Sequence, residues 1–132
     1  MDKIIEGGCI CKKIRYSFKI SIPIDELQEG HCHCKICRKI SGSILSTYVK
    51  ISKNNIVFKG LNPSIYKSSE HCIRCFCSNC GSQLIWENKE KEVFAISIGS
   101  LDNPIEIKPK YHIWTENEIL IDQNIPKYLQ NF

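Results

Sequence analysis

Apolar side chains along this chain alternate with polar ones over short runs and almost nowhere recur at the spacing of an amphipathic helix. Ile, Val, Tyr and Phe dominate the apolar set, and these β-branched and aromatic types fit a pleated, half-buried surface. The alternation predicts strands over residues 14–22, 43–51, 55–58, 72–77, 83–87, 93–98 and 111–114. Between them, Lys53-Asn54-Asn55, Gly60-Leu61-Asn62-Pro63 and Asn88-Lys89-Glu90-Lys91 carry turn chemistry. Two short segments read as helical, 35–40 and 101–103, with Gly42 as the stop of the first. The closing Ile125-Pro126-Lys127-Tyr128-Leu129 reads as a tail packed on the surface. No linker, repeat or low-complexity tract interrupts the pattern, so the expectation is one mainly β domain over residues 1–132.

Composition narrows the class. With 42% apolar and 24% charged residues the profile is that of an ordinary globular chain, not a disordered one. The formal net charge is +4, but the basic residues are scattered. A nucleic-acid footprint needs Lys and Arg clustered on one face. The charge therefore reads as a solvated surface that slightly favours anionic small molecules. No apolar run approaches the roughly 20 residues that span a bilayer, and the first residues lack an apolar leader. The expected location is the cytoplasm, with neither membrane nor nucleic acid as a partner.

Nine cysteines in 132 residues change the picture. Such density means a disulfide scaffold or metal binding. An odd count and pairs as close as Cys9-Ile10-Cys11 and Cys32-His33-Cys34 argue for metal, because a disulfide there would close a strained ring. Cys77-Ser78-Asn79-Cys80-Gly81 has the form of a zinc knuckle, two thiolates across a tight turn whose Gly81 adopts a conformation a side chain hinders. Tetrahedral zinc wants four ligands, and Cys9 and Cys11, read as residues i and i+2 of a strand, face the same way. Closing the long loop between the pairs costs little more with length. Cys9, Cys11, Cys77 and Cys80 are thus expected to form a closed structural zinc site.

The middle group, Cys32, Cys34 and Cys37, supplies three thiolates within six residues. Three protein ligands and an open position distinguish a catalytic zinc from a structural one. The alternative is that Cys72, Cys75 or a histidine closes this site too. Lys35, Arg38 and Lys39 stand beside it to offset charge or attract an anion. Sulfur donors weaken the metal as a Lewis acid, so the chemistry expected is exchange of a thiol or aldehyde, not hydrolysis.

Taken together, Gly7-Gly8-Cys9-x-Cys11-x-x-Ile14-Arg15-Tyr16, Cys32-His33-Cys34-x-x-Cys37-Arg38-Lys39-x-Ser41-Gly42 and Arg74-x-Phe76-Cys77-x-x-Cys80-Gly81-Ser82 resemble the glutathione-dependent formaldehyde-activating enzyme family, which includes the centromere protein V proteins. The resemblance runs on through Gly99-Ser100-Leu101-Asp102-Asn103-Pro104 and His112-Ile113-Trp114. It implies an Mss4-like fold, folded β-sheets organised around zinc with short helical turns. It also implies that Cys9, Cys11, Cys77 and Cys80 hold a structural zinc and that Cys32, Cys34 and Cys37 hold a catalytic one. The implied activity is that of a carbon–sulfur lyase, an S-(hydroxymethyl)glutathione synthase whose partners are a small thiol such as glutathione and an aldehyde, formaldehyde. The competing reading is a non-catalytic zinc module for binding protein or nucleic acid, or a thiol redox or metal-handling protein.

Other residues have plainer expectations. His33, between two ligands, reads as a hydrogen-bonding bystander; His31 and His71 read likewise, and His112 as a strand residue near the pocket. Arg38 is the expected charge-balancing residue. Trp86 and Trp114 read as core or pocket wall. Cys75 and Cys72 read as buried small hydrophobes, with Cys75 on the Cys77 face of its strand as a spare thiol near the first zinc. So short a chain also suggests little room for a substrate as long as a tripeptide.

Overall fold

Strand β2 (Ile14–Ile20) shows how alternation builds the core. Ile14, Tyr16, Phe18 and Ile20 are buried and the residues between them are not. It lies between β1 (Lys3–Gly8) and β5 (Ile56–Gly60) in a three-stranded antiparallel sheet. The structure is a computed structural model and describes residues 2–23, 27–104, 107–121 and 123–129.

A seven-stranded sheet supplies the other wall. Its order is β10 (Tyr111–Ile113), β3 (Gln28–Cys32), β4 (Ser46–Ser52), β9 (Val93–Ser97), β8 (Gln83–Asn88), β7 (Cys72–Phe76) and β6 (Ser64–Lys67). All its pairings are antiparallel except β10 with β3. Val49, Ile73, Leu84, Ile85 and Ile96 from this sheet join Ile5, Ile14, Tyr16 and Phe18 from the smaller one in a single cluster of buried residues. One helix, α1 (Lys35–Ser41), follows β3 and ends where Gly42 takes φ 66° and returns its N–H to the Arg38 carbonyl at 2.9 Å.

Every strand predicted from alternation is present, with ends shifted by a few residues. Three strands escaped that reading: β1 at the start of the chain, β6, which is short and largely exposed, and β3. Strand β3 reads Gln-Glu-Gly-His-Cys, with no apolar alternation to detect. Its Glu29 is fully buried and is held by Lys110 Nζ at 3.1 Å, so pairing of charges takes the place of hydrophobic burial. The helical turn expected at 101–103 lies earlier, a 3-10 turn at Ile98–Ser100, and Leu101 instead bridges to Gly7. In the closing segment Ile125, Tyr128 and Leu129 are exposed. Among the described residues no helix is long and apolar enough to cross a membrane.

Leu84 has no exposed surface and sits where the two sheets meet. Leu84→Ala is expected to cost about 3 kcal/mol of stability, read from chemical denaturation with metal held in excess; a loss below about 1 kcal/mol would contradict this packing.

Candidate metal centres

Two hairpin turns from different sheets meet at the first centre. The turn between β1 and β2 carries Cys9 and Cys11, with Cys9 N–H on the Ile14 carbonyl and Lys12 N–H on the Cys9 carbonyl, both at 3.1 Å. Since β1 ends at Gly8, the two thiols converge by a turn and not by strand alternation, with Lys12 left-handed at φ 64°. The turn between β7 and β8 carries Cys77 and Cys80, closed by Gly81 N–H on the Cys77 carbonyl at 2.8 Å. Gly81 sits at φ 78° with open space where a Cβ would stand, so the glycine supplies backbone conformation and not room. Ile10 N–H to Ser82 Oγ at 3.1 Å and Lys13 Nζ to Asn79 Oδ1 at 3.2 Å stitch the turns together.

The four sulfurs lie within 4.8 Å of one another. Cys9 and Cys11 Sγ are 3.5 Å apart, and Cys11 and Cys77 Sγ 3.7 Å, far beyond a disulfide bond. A tetrahedron of sulfurs at zinc–sulfur distances of about 2.3 Å has edges of about 3.8 Å, so the cage fits an ion of that size. The surroundings favour the thiolate, the metal-binding form, at Cys80 and Cys11, whereas Cys77, despite the amides that lower it, is pushed up by burial and the neighbouring thiols. Ile14 N–H points at Cys9 Sγ at 3.2 Å. The Ser82 hydroxyl, followed by backbone amides, draws Cys80 down to about 5, and the Lys13 amide leads in lowering Cys11.

The second centre is built at the junction of β3 and α1. Cys32 ends the strand, Cys34 caps the helix and Cys37 lies in its first turn. Cys34 Sγ accepts the Cys37 N–H at 3.2 Å, so the cap that starts the helix also orients a candidate ligand. The three thiols lie within 4.8 Å of one another, and among the described residues no fourth Cys, His, Asp or Glu joins them. The Cys37 thiol and then burial push the Cys32 thiol up, while the Cys32 thiol, then Cys34 and Arg74, draw Cys37 down to about 5.

Beside these sulfurs lies a pocket of about 140 Å³, walled by Tyr48, Trp86, Ile113 and Trp114. Ser46, Gln83 and Ser97 line both this pocket and a neighbouring cleft of about 630 Å³. The short chain therefore has more room for a reactant's body than its length suggests. The charge beside the thiols comes from Arg74 on β7, not from Arg38. Arg74 is 6% exposed, its Nη1 lies 3.6 Å from Cys37 Sγ, its Nε donates to Ser68 Oγ at 3.1 Å, and its guanidinium lies 5.9 Å from the Trp86 ring centre. Arg38 does not line the pocket. The signal for Arg74 was alternation: it shares a strand face with Cys72 and Phe76, opposite the core residues Ile73 and Cys75.

Neither spare cysteine reaches a sulfur group. A bulge at Cys75/Phe76 breaks the register between Cys75 and Cys77, and Cys75 stays in the core, where burial pushes its thiol up to about 11. Cys72 lines a groove with Cys34 and Arg74. His33 is buried and turned from the thiols toward β10, its Nε2 2.8 Å from His112 Nδ1, with Glu118 nearby. Its own Nδ1 is buried without a partner among the described residues, so the cheaper tautomer keeps the proton on Nε2, donating to His112. That arrangement docks β10 and disfavours ligation through Nε2, which would leave a proton stranded on Nδ1. His112 stays outside the pocket, while Ile113 and Trp114 wall it.

Cys80→Ser is expected to lower bound metal and abolish cooperative unfolding, because it opens the cage that joins the hairpins. Cys75→Ala should leave metal content unchanged and cost about 1 kcal/mol. Elemental analysis and thermal melts check both, and equal metal loss in the two variants would contradict the assignment.

Comparison with known proteins agrees with this architecture. A family model described as glutathione-dependent formaldehyde-activating enzyme matches residues 4–117. An uncharacterized lyase of Schizosaccharomyces pombe is 34% identical over 79 residues, 60% of this chain and 54% of that protein. The chain thus spans about half the length of the curated relative it matches. A structural-genomics crystal structure of a Rhodobacter sphaeroides protein superposes with a TM-score of 0.63 at 15% identity, covering 81% of this chain and 98% of that one, which speaks for the fold. The mainly β, two-sheet architecture agrees with the Mss4-like fold of the matched family. With the match enclosing both sulfur groups, the chain belongs to the glutathione-dependent formaldehyde-activating enzyme family.

Proposed function

We propose that this chain is a zinc-dependent enzyme of the carbon–sulfur lyase type that joins a small thiol such as glutathione to formaldehyde. In this reading residues 1–132 act as one domain, Cys9, Cys11, Cys77 and Cys80 hold a structural zinc, and Cys32, Cys34 and Cys37 hold a catalytic one. The observation that carries it is the absence, among the described residues, of a fourth ligand beside Cys32, Cys34 and Cys37, together with the pocket that opens there. Family membership and the lyase name of the S. pombe relative support the reaction class.

Bound at the three sulfurs, zinc would supply a positive centre that takes up a thiolate. The chain's own residues do the rest. The Cys37 amide orients Cys34. Arg74 offsets the negative charge that remains when three thiolates meet a divalent ion, so a further anion can approach. The aromatic walls exclude water and hold a one-carbon aldehyde beside the sulfur, where the gain is proximity. The contiguous cleft with Ser46, Gln83 and Ser97 on its border leaves space for the body of the thiol.

The non-catalytic alternative needs both centres closed by protein, and the three-thiol group gives it no support. The test is magnetisation transfer between glutathione and its hydroxymethyl adduct, with zinc counted in protein purified under reducing conditions. Two zinc ions per chain and exchange well above the protein-free rate are expected. Cys34→Ser, in which serine is itself a good helix cap, should keep the fold, lose one zinc and return exchange to the protein-free rate. Exchange by the wild type no faster than buffer, or a Cys34→Ser variant with full metal and full exchange, would defeat the reading.

A further inference from the structure

Arg74 is the one cationic side chain among the described residues that line the three-thiol pocket. It is also held in place more firmly than charge balance requires. Ser68 Oγ takes its Nε at 3.1 Å, the Trp86 ring flanks the guanidinium at 5.9 Å, and burial leaves only 6% of the residue exposed. A mobile lysine on the surface would serve as a counter-charge. A buried, pinned guanidinium beside Cys37 Sγ instead presents N–H groups at a fixed place in the pocket.

Adding a thiol to an aldehyde moves negative charge from sulfur to oxygen. The thiol gives its proton to solvent, and its sulfur lone pair forms the carbon–sulfur bond. The carbon–oxygen π pair moves onto the oxygen, which then takes a proton from solvent, so thiol and aldehyde become hydroxymethyl thioether with nothing oxidised or reduced. The oxygen's charge is greatest in mid-reaction, and it arises one carbon away from the sulfur.

We propose that Arg74 is a catalytic residue that donates a hydrogen bond to the aldehyde oxygen as that charge develops. The inference rests on the thiol–aldehyde reading above. Arginine suits the task because it stays charged and gives up no proton, so it stabilises the oxyanion without competing for the final protonation. Its charge-assisted bond is worth more in a buried pocket than in water. Trp86 and Ser68 hold the guanidinium in one place beside Cys37 Sγ, so its N–H groups keep a fixed direction as the charge moves. Gln83 and Tyr48 also line the pocket but are neutral donors.

The experiment uses two inert probes of equal size on the zinc-loaded protein: glutathione alkylated at sulfur with a carboxymethyl group, and with a carbamoylmethyl group. The first places a negative oxygen close to where the oxyanion forms, and the second places a neutral one there. Calorimetry should show wild type preferring the carboxymethyl probe by roughly tenfold or more. Arg74→Gln should erase the preference at unchanged zinc content and slow exchange about a hundredfold. Arg74→Lys, which keeps the charge and most of the volume, should retain part of the preference. Equal affinity of wild type for the two probes, including no binding of either, overturns the proposal, as does full exchange in a zinc-replete Arg74→Gln or Arg74→Lys protein with no preference. Failure of the underlying reading looks different, because exchange would then be absent in the wild type itself.

Discussion

Four cysteine sulfurs held within 4.8 Å of one another, none of them paired, are the constraint on which the rest of this molecule turns. Four thiolates that close would repel one another, and a divalent cation between them would offset that charge. The two pairs come from different sheets, one from the β1–β2 turn and the other from the β7–β8 turn. An ion bound at these sulfurs would therefore also clamp the small sheet onto the large one. The buried cluster between them has Ile, Leu, Val, Tyr and Phe enough to pack, but the chain is short for a two-sheet core. Cross-linking the hairpins at their tips would fix the sheets' separation at one edge of the shared core, where Cys9 and Cys77 are themselves buried.

The second sulfur group inverts that logic. Cys32, Cys34 and Cys37 come from one strand end and one helix turn, so the group holds its shape locally and clamps nothing distant. The seven-stranded sheet surrounds it with a wall assembled from six of its strands: Cys32 from β3, Ser46 and Tyr48 from β4, Arg74 from β7, Trp86 from β8, Ala95 and Ser97 from β9, and Ile113 from β10. A rigid sheet thus supports a small, incompletely ligated group. The first group brings four sulfurs together, whereas the second brings three beside a pocket, and on the proposed reading that difference separates a structural ion from a catalytic one.

Much of this was legible in the sequence because cysteine spacing is local chemistry. Cys77-x-x-Cys80-Gly81 specifies a turn whatever surrounds it, and Cys32-x-Cys34-x-x-Cys37 gathers three thiols at the start of the predicted short helix, though not the strand that ends at Cys32. Alternation found the strands that put one face into the core, β2 above all. It missed β3 because Glu29 is buried with Lys110, a pairing between residues far apart in the chain. The same limit hid Arg74. Proximity in sequence favoured Arg38, whereas the cation at the thiols arrives from another strand across the sheet. Cys9 and Cys11 lie together for a different reason from the one expected, since a turn and not a pleat brings them there. The spare thiols were ambiguous until the bulge at Cys75/Phe76 separated Cys75 from the first cage.

The central claim is that two ions share one chain, one sealed by sulfur and the other lacking a protein ligand. X-ray absorption at the zinc edge on fully loaded protein measures this directly, because sulfur and light-atom scatterers are distinguishable. Averaged over both sites, about 3.5 sulfurs per zinc are predicted in the absence of thiol, rising to about four when glutathione is added. Four sulfurs or a histidine-completed shell from the outset, unchanged by glutathione, would contradict the account.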